Sequence, residues 1–363
     1  CYIVVSEIAK NKTGKKKIVV ASILAALTMT ANIVTVEGAI PEGTRTDHLG
    51  LAIGTSSNSK SNQSVAIGYA SSAEAPGANP ENPATAVGAG ANANGAGTVA
   101  LGLSANATGA NAVALGGGSN GGTNKTEATA ANATAVGFNA KASNSGASAI
   151  GTNAKATGEN SVAVGSGAGN SGPLGFASSI NSLGSVVNSL KTINYATTAE
   201  GDYAVALGVY ANAKNSGVAV GQNALAATGG VAIGKGVLED TGNNLAGGVA
   251  IGQDSASTGA YSLAMGRHAF ASGSTSMAMG YEASANGNFA VAMGRNVTAT
   301  GTSTAIGRHA TASNGGLAIG SQENDVSDDR TTASAKGAVA IGKNTKATSE
   351  DAVAIGTNAQ ATR

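Results

Sequence analysis

Hydrophobic and polar positions alternate with a period of two in short segments that recur along the chain. In residues 160–165, Val162 and Val164 flank Ala163, and a glycine closes the segment. This alternation predicts a β-strand with one bulky apolar face and one face of methyl groups, and it excludes a helix. Between two such segments, as in residues 153–158, Ala alternates with polar residues, which predicts a second short strand with a small inward face.

The closing glycine belongs to a repeated motif, in which Ala is followed by Val, Ile, Leu or Met and then by Gly. The motif occurs nineteen times, and of the 18 steps between neighbouring copies nine are 14 residues long and four are 13. Its glycines are Gly54, Gly68, Gly88, Gly102, Gly116, Gly137, Gly151, Gly165, Gly208, Gly221, Gly234, Gly252, Gly266, Gly280, Gly294, Gly307, Gly320, Gly342 and Gly356. We expect each of them to end its strand at a sharp turn, either with a positive φ or with no room for a Cβ. Self-similarity at a fixed short period is typical of a solenoid.

Two strands and two turns account for one repeat, so the predicted fold is all-β, a parallel β-solenoid of 13–14-residue coils. The coils are expected to stack about 4.8 Å apart around an interior no wider than Ala and a few branched side chains. One coil alone buries too little apolar surface to offset the ordering of its backbone. The apolar stripe therefore indicates symmetric association of several chains along their whole length. Representative stripe residues are Val65, Ile67, Val113, Leu115, Val162, Val164, Val291, Met293, Val353 and Ile355.

Composition and charge indicate an extended protein rather than one with a large compact core. The chain has 363 residues, 54 of them Gly, no Trp, 3% aromatic residues and 11% charged residues. Its formal net charge of +1 argues against a nucleic-acid partner, for which a basic face is expected. The only cysteine is Cys1, which suits an exported protein that avoids stray disulfides.

Residues 1–40 differ in kind from the rest. Three lysines at 15–17 precede an apolar run over 18–27, which predicts a secretory signal with cleavage near Ala31 or Ala39. The run is too short to span a bilayer as a helix, and the alternative interpretation is a buried N-terminal helix. Because the chain starts with Cys1 rather than Met, we expect that its own N-terminus is missing.

Five intervals break the repeat and divide the array. They are residues 69–87, 117–136, 166–207, 235–251 and 321–341. In the longest, apolar residues recur at steps of four and three, which predicts one face of a short helix. These residues are Phe176, Ile180, Leu183, Val187 and Leu190. The predicted organisation is an N-terminal β-roll over 41–165, a helical insert over 166–207 and a C-terminal β-roll over 208–363, with the insert either packing on the solenoid or its symmetry mates or projecting as a binding element.

The repeated segment resembles the head repeat of YadA-like trimeric autotransporter adhesins, whose motif reads Asn-Ser-Val-Ala-Ile-Gly. Residues 63–68 and 160–165 approximate that motif, and the resemblance spans residues 50–363. Nineteen copies at this period make the signal specific, whereas one copy would carry no weight. In addition, residues 2–10 are similar to the end of the extended signal peptide of these proteins.

The resemblance implies a left-handed parallel β-roll and a homotrimer around one axis, held on a coiled-coil stalk at the Gram-negative cell surface. It further implies a non-enzymatic adhesin that attaches to host matrix or cells, or to sister bacteria. The chain departs from the family in stopping at Arg363 within the array, without a heptad stalk or a C-terminal membrane β-barrel. We therefore expect a fragment of a longer, outer-membrane-anchored protein, which meets the membrane only through an anchor absent from this chain.

Sequence patterns predict no catalytic residues, no metal site and no cofactor. No Ser-His-acid arrangement recurs, the glycines at 116–118 lack the lysine of a phosphate loop, and the repeat lacks the aspartates of a calcium-binding nonapeptide. His48, His268 and His309 have no partner at zinc-ligand spacing. His268 and His309 occupy the same place in coils about 14 Å apart, too far to share an ion. They are interpreted as solvent-facing turn residues, the alternative being three symmetry copies of one His meeting on the axis.

Two classes of function remain open, an adhesin and a solenoid that binds ice or another surface through a flat ordered array. The second class requires Thr at alternating positions in successive coils, and Thr298-Ala299-Thr300 is interpreted as close to isolated. A thermal-hysteresis assay distinguishes the two.

The residue after each motif glycine forms a column along one edge of a parallel coil. In the C-terminal half this column includes Lys235, Arg267, Tyr281, Arg295, Arg308 and Lys343. The equivalent N-terminal residues carry no cation, so the charge is concentrated. The column is interpreted either as a turn edge kept soluble by its charges or as a site for an anionic surface such as a sulfated glycan or lipopolysaccharide.

Overall fold

A computed structural model describes residues 50–75, 82–118, 124–167, 196–239, 247–321 and 330–362. Throughout these residues the chain is all-β and forms a parallel β-solenoid, which confirms the predicted fold class. Each coil contains a first strand of three residues, a first turn at the motif glycine, a second strand of two or three residues and a second turn. The predicted signal in 1–40 and the predicted helix within 176–190 lie outside the described residues.

First strands of successive coils pair with one another in one parallel 19-stranded sheet, here called the first sheet. Its strands are β1 (Leu51–Ile53), β3 (Val65–Ile67), β5 (Thr85–Val87), β7 (Val99–Leu101), β9 (Val113–Leu115), β11 (Thr134–Val136), β13 (Ser148–Ile150), β15 (Val162–Val164), β17 (Val205–Leu207), β19 (Val218–Val220), β21 (Val231–Ile233), β23 (Val249–Ile251), β25 (Leu263–Met265), β27 (Met277–Met279), β29 (Val291–Met293), β31 (Thr304–Ile306), β33 (Leu317–Ile319), β35 (Val339–Ile341) and β37 (Val353–Ile355).

Second strands form the second sheet in the same way. Its strands are β2 (Asn58–Ser59), β4 (Ser72–Glu74), β6 (Asn92–Asn94), β8 (Asn106–Ala107), β10 (Glu127–Ala128), β12 (Lys141–Ala142), β14 (Lys155–Ala156), β16 (Thr198–Ala199), β18 (Asn212–Ala213), β20 (Leu225–Ala226), β22 (Leu238–Glu239), β24 (Ala256–Ser257), β26 (Phe270–Ala271), β28 (Ser284–Ala285), β30 (Thr298–Ala299), β32 (Thr311–Ala312), β34 (Thr332–Ala333), β36 (Lys346–Ala347) and β38 (Gln360–Ala361).

The register places equivalent residues of neighbouring coils directly above one another. It holds even where the sequence interval is longest, because Val162 pairs with Val205 and Ala163 with Ala206 between β15 and β17. The coils on either side of residues 168–195 therefore stack directly, and the array continues past that segment.

Alanine methyl groups fill the interior between the two sheets. The central Ala of the first strands is fully buried at Ala66, Ala163 and Ala292, for example, and the Ala of the second strands is fully buried at Ala156. Branched side chains of the first strands point outward instead and are only half-buried or exposed. A core of single methyl groups contributes little apolar burial per coil, so ladder hydrogen bonds carry much of the stability of one chain.

Most motif glycines meet both conditions expected for them, the exceptions being Gly320, which has no positive φ, and Gly356, where a Cβ would meet no atom. Gly280 has a φ of +131°, and a Cβ built on it would overlap the carbonyl oxygen of Gly294 in the next coil. Gly151 has a φ of +122° and makes the same approach to Gly165. The backbones of successive first turns are thus too close for any side chain at this position, and the φ is one that L side chains rarely adopt.

The second residue after the motif glycine adopts a left-handed conformation, which Asn tolerates better than most side chains. The φ values are 54° at Asn139 and 59° at Asn153. Stacked amides link such turns, since Asn139 Nδ2 donates to Asn153 Oδ1 at 2.7 Å and Asn344 Nδ2 donates to Asn358 Oδ1 at 2.8 Å. The amide ladder reinforces the first turn along the array.

In coils with a long first turn, a threonine stands directly before the second strand. Extra residues lengthen this turn in three coils, and the residue before the second strand is Thr126, Thr197 or Thr331 there. The Oγ1 of each donates to the carbonyl oxygen of the next motif glycine, at 2.6, 2.7 and 2.6 Å respectively. Among the other described coils, only Thr345 has a threonine at this position. These hydrogen bonds therefore link the start of the second strand to the first turn of the following coil.

We expect Thr126→Val to lower the free energy of unfolding by about 1–2 kcal/mol, the usual cost of removing one partner of a buried hydrogen bond. Val237 and Val297 occupy the same position in other coils and are fully buried there, so valine fits without a clash. Chemical denaturation of the variant measures the loss, and Thr129→Val on the exposed surface nearby serves as the control. Equal free energies of unfolding for the two variants would show that the Thr126 hydroxyl does not stabilise the coil.

Candidate functional site

The outer face of the first sheet is a continuous apolar surface, here called the apolar face. It contains the sequence-predicted stripe residues, and 15 of its 19 strands contribute two apolar side chains. The exceptions, with one polar side chain each, are Thr85, Thr134, Ser148 and Thr304. Ile150 is 40% exposed and Ile233 is 37% exposed, and in the last coil Val353 and Ile355 are 59% and 66% exposed. Nineteen strands at about 4.8 Å make the face about 86 Å long, far more than the isolated apolar patches of a soluble monomer.

The outer face of the second sheet is mostly polar and carries ion pairs between neighbouring coils. Lys141 Nζ lies 3.0 Å from Glu127 Oε2, and Lys60 Nζ lies 3.0 Å from Glu74 Oε2. All four side chains are partly exposed, so each pair contributes at most about 1 kcal/mol. The two outer faces of the solenoid thus differ sharply in polarity.

The interpretation of Thr298-Ala299-Thr300 as close to isolated is wrong. The register pairs Thr298 with Thr311 and Thr311 with Thr332, so three threonines stack in successive coils. Two residues further along the same coils stand Thr300, Ser313 and Ser334. The second sheet therefore carries a small patch of aligned hydroxyl groups, which irregular sequence spacing conceals.

The column after the motif glycines contains a stacked cation-aromatic group. The guanidinium carbon of Arg267 lies 5.6 Å from the centre of the Tyr281 ring, and that of Arg295 lies 5.8 Å from it. Arg267 comes from the coil before Tyr281 and Arg295 from the coil after it, so the ring stands between two cations. The geometry is that of a cation–π contact on both sides.

Polar contacts hold the ring of Tyr281 in place. A hydrogen bond with Glu282 and the charge of that carboxylate raise the pKa of Tyr281 above its ordinary value, while Arg267 and Arg295 act in the opposite direction. The phenol is therefore neutral at physiological pH and does not cancel the neighbouring positive charges. In the part of the chain that the structure describes, neither Arg267 nor Arg295 pairs with a carboxylate.

The other members of the column lie on the same edge but outside this stack. Lys235 is exposed, whereas Arg308 and Lys343 are half-buried and make further contacts. We call the column of Lys235, Arg267, Tyr281, Arg295, Arg308 and Lys343 the cationic edge. It extends over seven coil steps, or about 34 Å.

The two histidines of the array are less solvent-facing than expected. His309 is only 8% exposed, and His268 is half-buried with its ring 6.2 Å from that of Tyr281 in an edge-on arrangement. Both have a φ of 57°, because the left-handed position of the first turn is imposed by the repeat. Within the described residues no group of three or more metal-ligating side chains comes together.

Exposed aromatic residues on the second turn are a feature that sequence analysis missed. Tyr203, Tyr261 and Phe289 are 62%, 64% and 64% exposed, and each has a left-handed φ that bulky residues rarely adopt. Each precedes its first strand by two residues, a position that Asn or Gly holds in nine of the nineteen coils. Their shared position, two residues before a first strand, is the sequence signal that identifies them.

Comparison with known families accounts for most of the coils. The family model described as the YadA head domain repeat, in two copies, matches residues 49–78, 83–105, 93–119, 128–153, 142–168, 195–211, 199–224, 246–269, 271–296 and 333–359. The chain belongs to this family. No curated protein matches it.

YadA head repeats are structural adhesin domains of trimeric autotransporters. The family resemblance stated from the sequence is thereby confirmed, and the matched segments contain strands from both sheets. Membership favours a function carried by the surface of the solenoid rather than by a reactive centre. No helix within the described residues is long and apolar enough to cross a membrane.

Proposed function

We propose that this chain is the head of a bacterial surface adhesin, which acts as a homotrimer and attaches to host matrix, to host cells or to sister bacteria. In this proposal the protein is exported and displayed on the Gram-negative cell surface, with its anchor in the outer membrane. Attachment is non-enzymatic, distributed over many coils and independent of any cofactor.

The observation that carries the proposal is the apolar face, which extends over every coil of a solenoid whose interior is mostly alanine. Exposed to water along about 86 Å, such a face would favour aggregation. Three copies that pack their apolar faces around a common axis remove it from water and leave the polar second sheets outside. Membership in the YadA head family supports the same arrangement.

Beads coated with the full chain test the adhesive function. We expect them to attach to collagen, fibronectin or laminin surfaces, to epithelial cells or to one another at least several-fold better than beads coated with the same chain unfolded by heat. The unfolded coating keeps the composition and removes only the folded surface. Equal attachment of both coatings in all of these assays would overturn the proposal.

A second candidate function rests on the aligned hydroxyl groups of Thr298, Thr311 and Thr332. Regular hydroxyl arrays on flat parallel sheets suit contact with an ordered surface such as ice. The patch covers only three coils, so we rank this candidate below adhesion. Thermal hysteresis in the presence of the full chain, lost in a variant with Thr298→Lys and Thr311→Lys, would favour it.

A further inference from the structure

We propose that the cationic edge binds a linear sulfated polysaccharide along the solenoid axis. The proposal deepens the adhesive function and rests on it, since it names one class of ligand for the head. It is carried by the stack of Arg267, Tyr281 and Arg295 and by the spacing of the cations around that stack.

The stack presents guanidinium groups in a fixed arrangement. Both faces of the Tyr281 ring are occupied by guanidinium groups at 5.6 and 5.8 Å, and its hydroxyl is engaged with Glu282. The ring therefore positions the two arginines rather than offering a face for stacking. Guanidinium groups held in this way lose less side-chain entropy on binding, and each can donate two parallel hydrogen bonds to a sulfate or carboxylate.

The spacing favours an extended polyanion over a small ion. Arg267 and Arg295 lie two coils apart, about 9.6 Å along the axis, with the ring between them. They cannot converge on one small anion. Lys235 lies two coils before Arg267, and Arg308 and Lys343 lie in coils beyond Arg295. The positive charges therefore recur over about 34 Å in one straight row.

The partner is a polysaccharide rather than a nucleic acid. Proteins that bind single-stranded nucleic acid offer free aromatic faces to the bases, and both faces of Tyr281 are covered. The chain as a whole carries a net charge of only +1, which does not provide a broad basic surface for a duplex. Sulfate groups along a flexible sugar chain need only a narrow row of cations.

Binding of the full chain to immobilised heparin, measured across a series of salt concentrations, tests the proposal. We expect the double variant Arg267→Gln with Arg295→Gln to bind about tenfold more weakly at about 0.1 M salt, since two exposed charge contacts are lost. The slope of log affinity against log salt should fall by about 1–2. Heparin stripped of its sulfate groups should bind neither protein.

The matched control is Lys155→Gln with Lys346→Gln, which removes the same charge from the second sheet. We expect this control to retain heparin binding within about twofold. Tyr281→Leu, which keeps every cation but removes the ring, should weaken binding less than the arginine variant and more than the control. Equal losses in the arginine and lysine variants would show that net charge alone drives retention, and the proposal would be wrong.

Three further outcomes would also overturn it. Heparin binding that persists in the arginine variant while its oligomer dissociates would assign the edge to a subunit contact. A single-stranded oligonucleotide or lipopolysaccharide that displaces heparin at lower concentration than heparin itself would assign it to another polyanion. Persistent attachment of coated beads to cells, together with no heparin binding, would refute the ligand while leaving the adhesive function standing.

Discussion

Replacing Gly280 by valine is expected to lower the free energy of unfolding by at least about 4 kcal/mol and to disorder the coils around it. The substitution places a branched Cβ where the carbonyl oxygen of Gly294 already lies, in a conformation with a φ of +131°. Neither chain segment can yield locally, because each first turn is stacked between two others. Steric overlap with a neighbouring backbone and a forced left-handed φ act together, which places the loss among the largest seen for single substitutions. Thermal and chemical denaturation measure it.

Two variants serve as controls for Gly280→Val. Gly356 has a φ of +116°, but a Cβ placed on it would meet no atom within 4 Å, so Gly356→Val should cost only the conformational strain, about 1–3 kcal/mol. Ala156→Ser should cost about 1 kcal/mol or less. Ser59 and Ser257 hold the same interior position and donate to the carbonyl oxygens of Ser64 and Ser262 at 2.9 and 3.0 Å. If all three variants lost equal stability, the motif glycine would be no more than a spacer.

The sequence predicts the structure of one coil because the same pattern of Ala, branched residues and Gly recurs in every coil. Ala between two branched residues requires a strand, and a glycine at a fixed interval requires a turn where neighbouring backbones touch. Parallel pairing and the position of the glycines are correct for these reasons. Which face of the first strand points inward follows as well, since the facing rows of Ala, such as Ala66 and Ala73, bring the two strands too close for branched side chains at those positions.

What the sequence leaves open depends on register across unequal intervals. Thr298 and Thr311 are 13 residues apart, and Thr311 and Thr332 are 21 apart, yet the three are adjacent in space. Thr298 and Thr311 each follow their motif glycine by four residues, but Thr332 is 25 residues from Gly307, so only the register shows that it joins them. The role of Thr331 is concealed for the same reason, since its partner Gly342 is identified only once the coil is closed.

The cationic edge is a case in which the sequence predicts the location of residues but not their interaction. Position after the motif glycine places Arg267, Tyr281 and Arg295 in one column. Their distances and the contact with Glu282 depend on side-chain conformation, which no repeat pattern specifies. The conformation at His268 is likewise set by the repeat, which forces a left-handed φ on whatever residue stands there.

Two carboxylates placed on the apolar face are expected to convert the protein from trimer to monomer. We expect the wild-type chain to scatter light with three times the 34.5 kDa mass of one chain at micromolar concentration. In Val291→Glu with Met293→Glu, association would bury two unpaired charges in each subunit, at several kcal/mol per charge. Three subunits multiply that cost, and the buried charges also separate the apolar faces of the neighbouring coils on either side.

The matched control for this variant changes the other sheet of the same coil. Thr298→Glu with Thr300→Glu adds the same charge to the polar outer face, where the carboxylates remain hydrated in a trimer, so its mass should stay that of the wild type. Light scattering with analytical ultracentrifugation compares the three proteins. A folded wild-type monomer at micromolar concentration, or a trimer that survives the substitutions at Val291 and Met293, would show that the apolar face does not hold the subunits together. The reason for expecting dissociation is that the interior of the coils is mostly alanine, so the branched side chains on the outer face are the main apolar surface that association can bury.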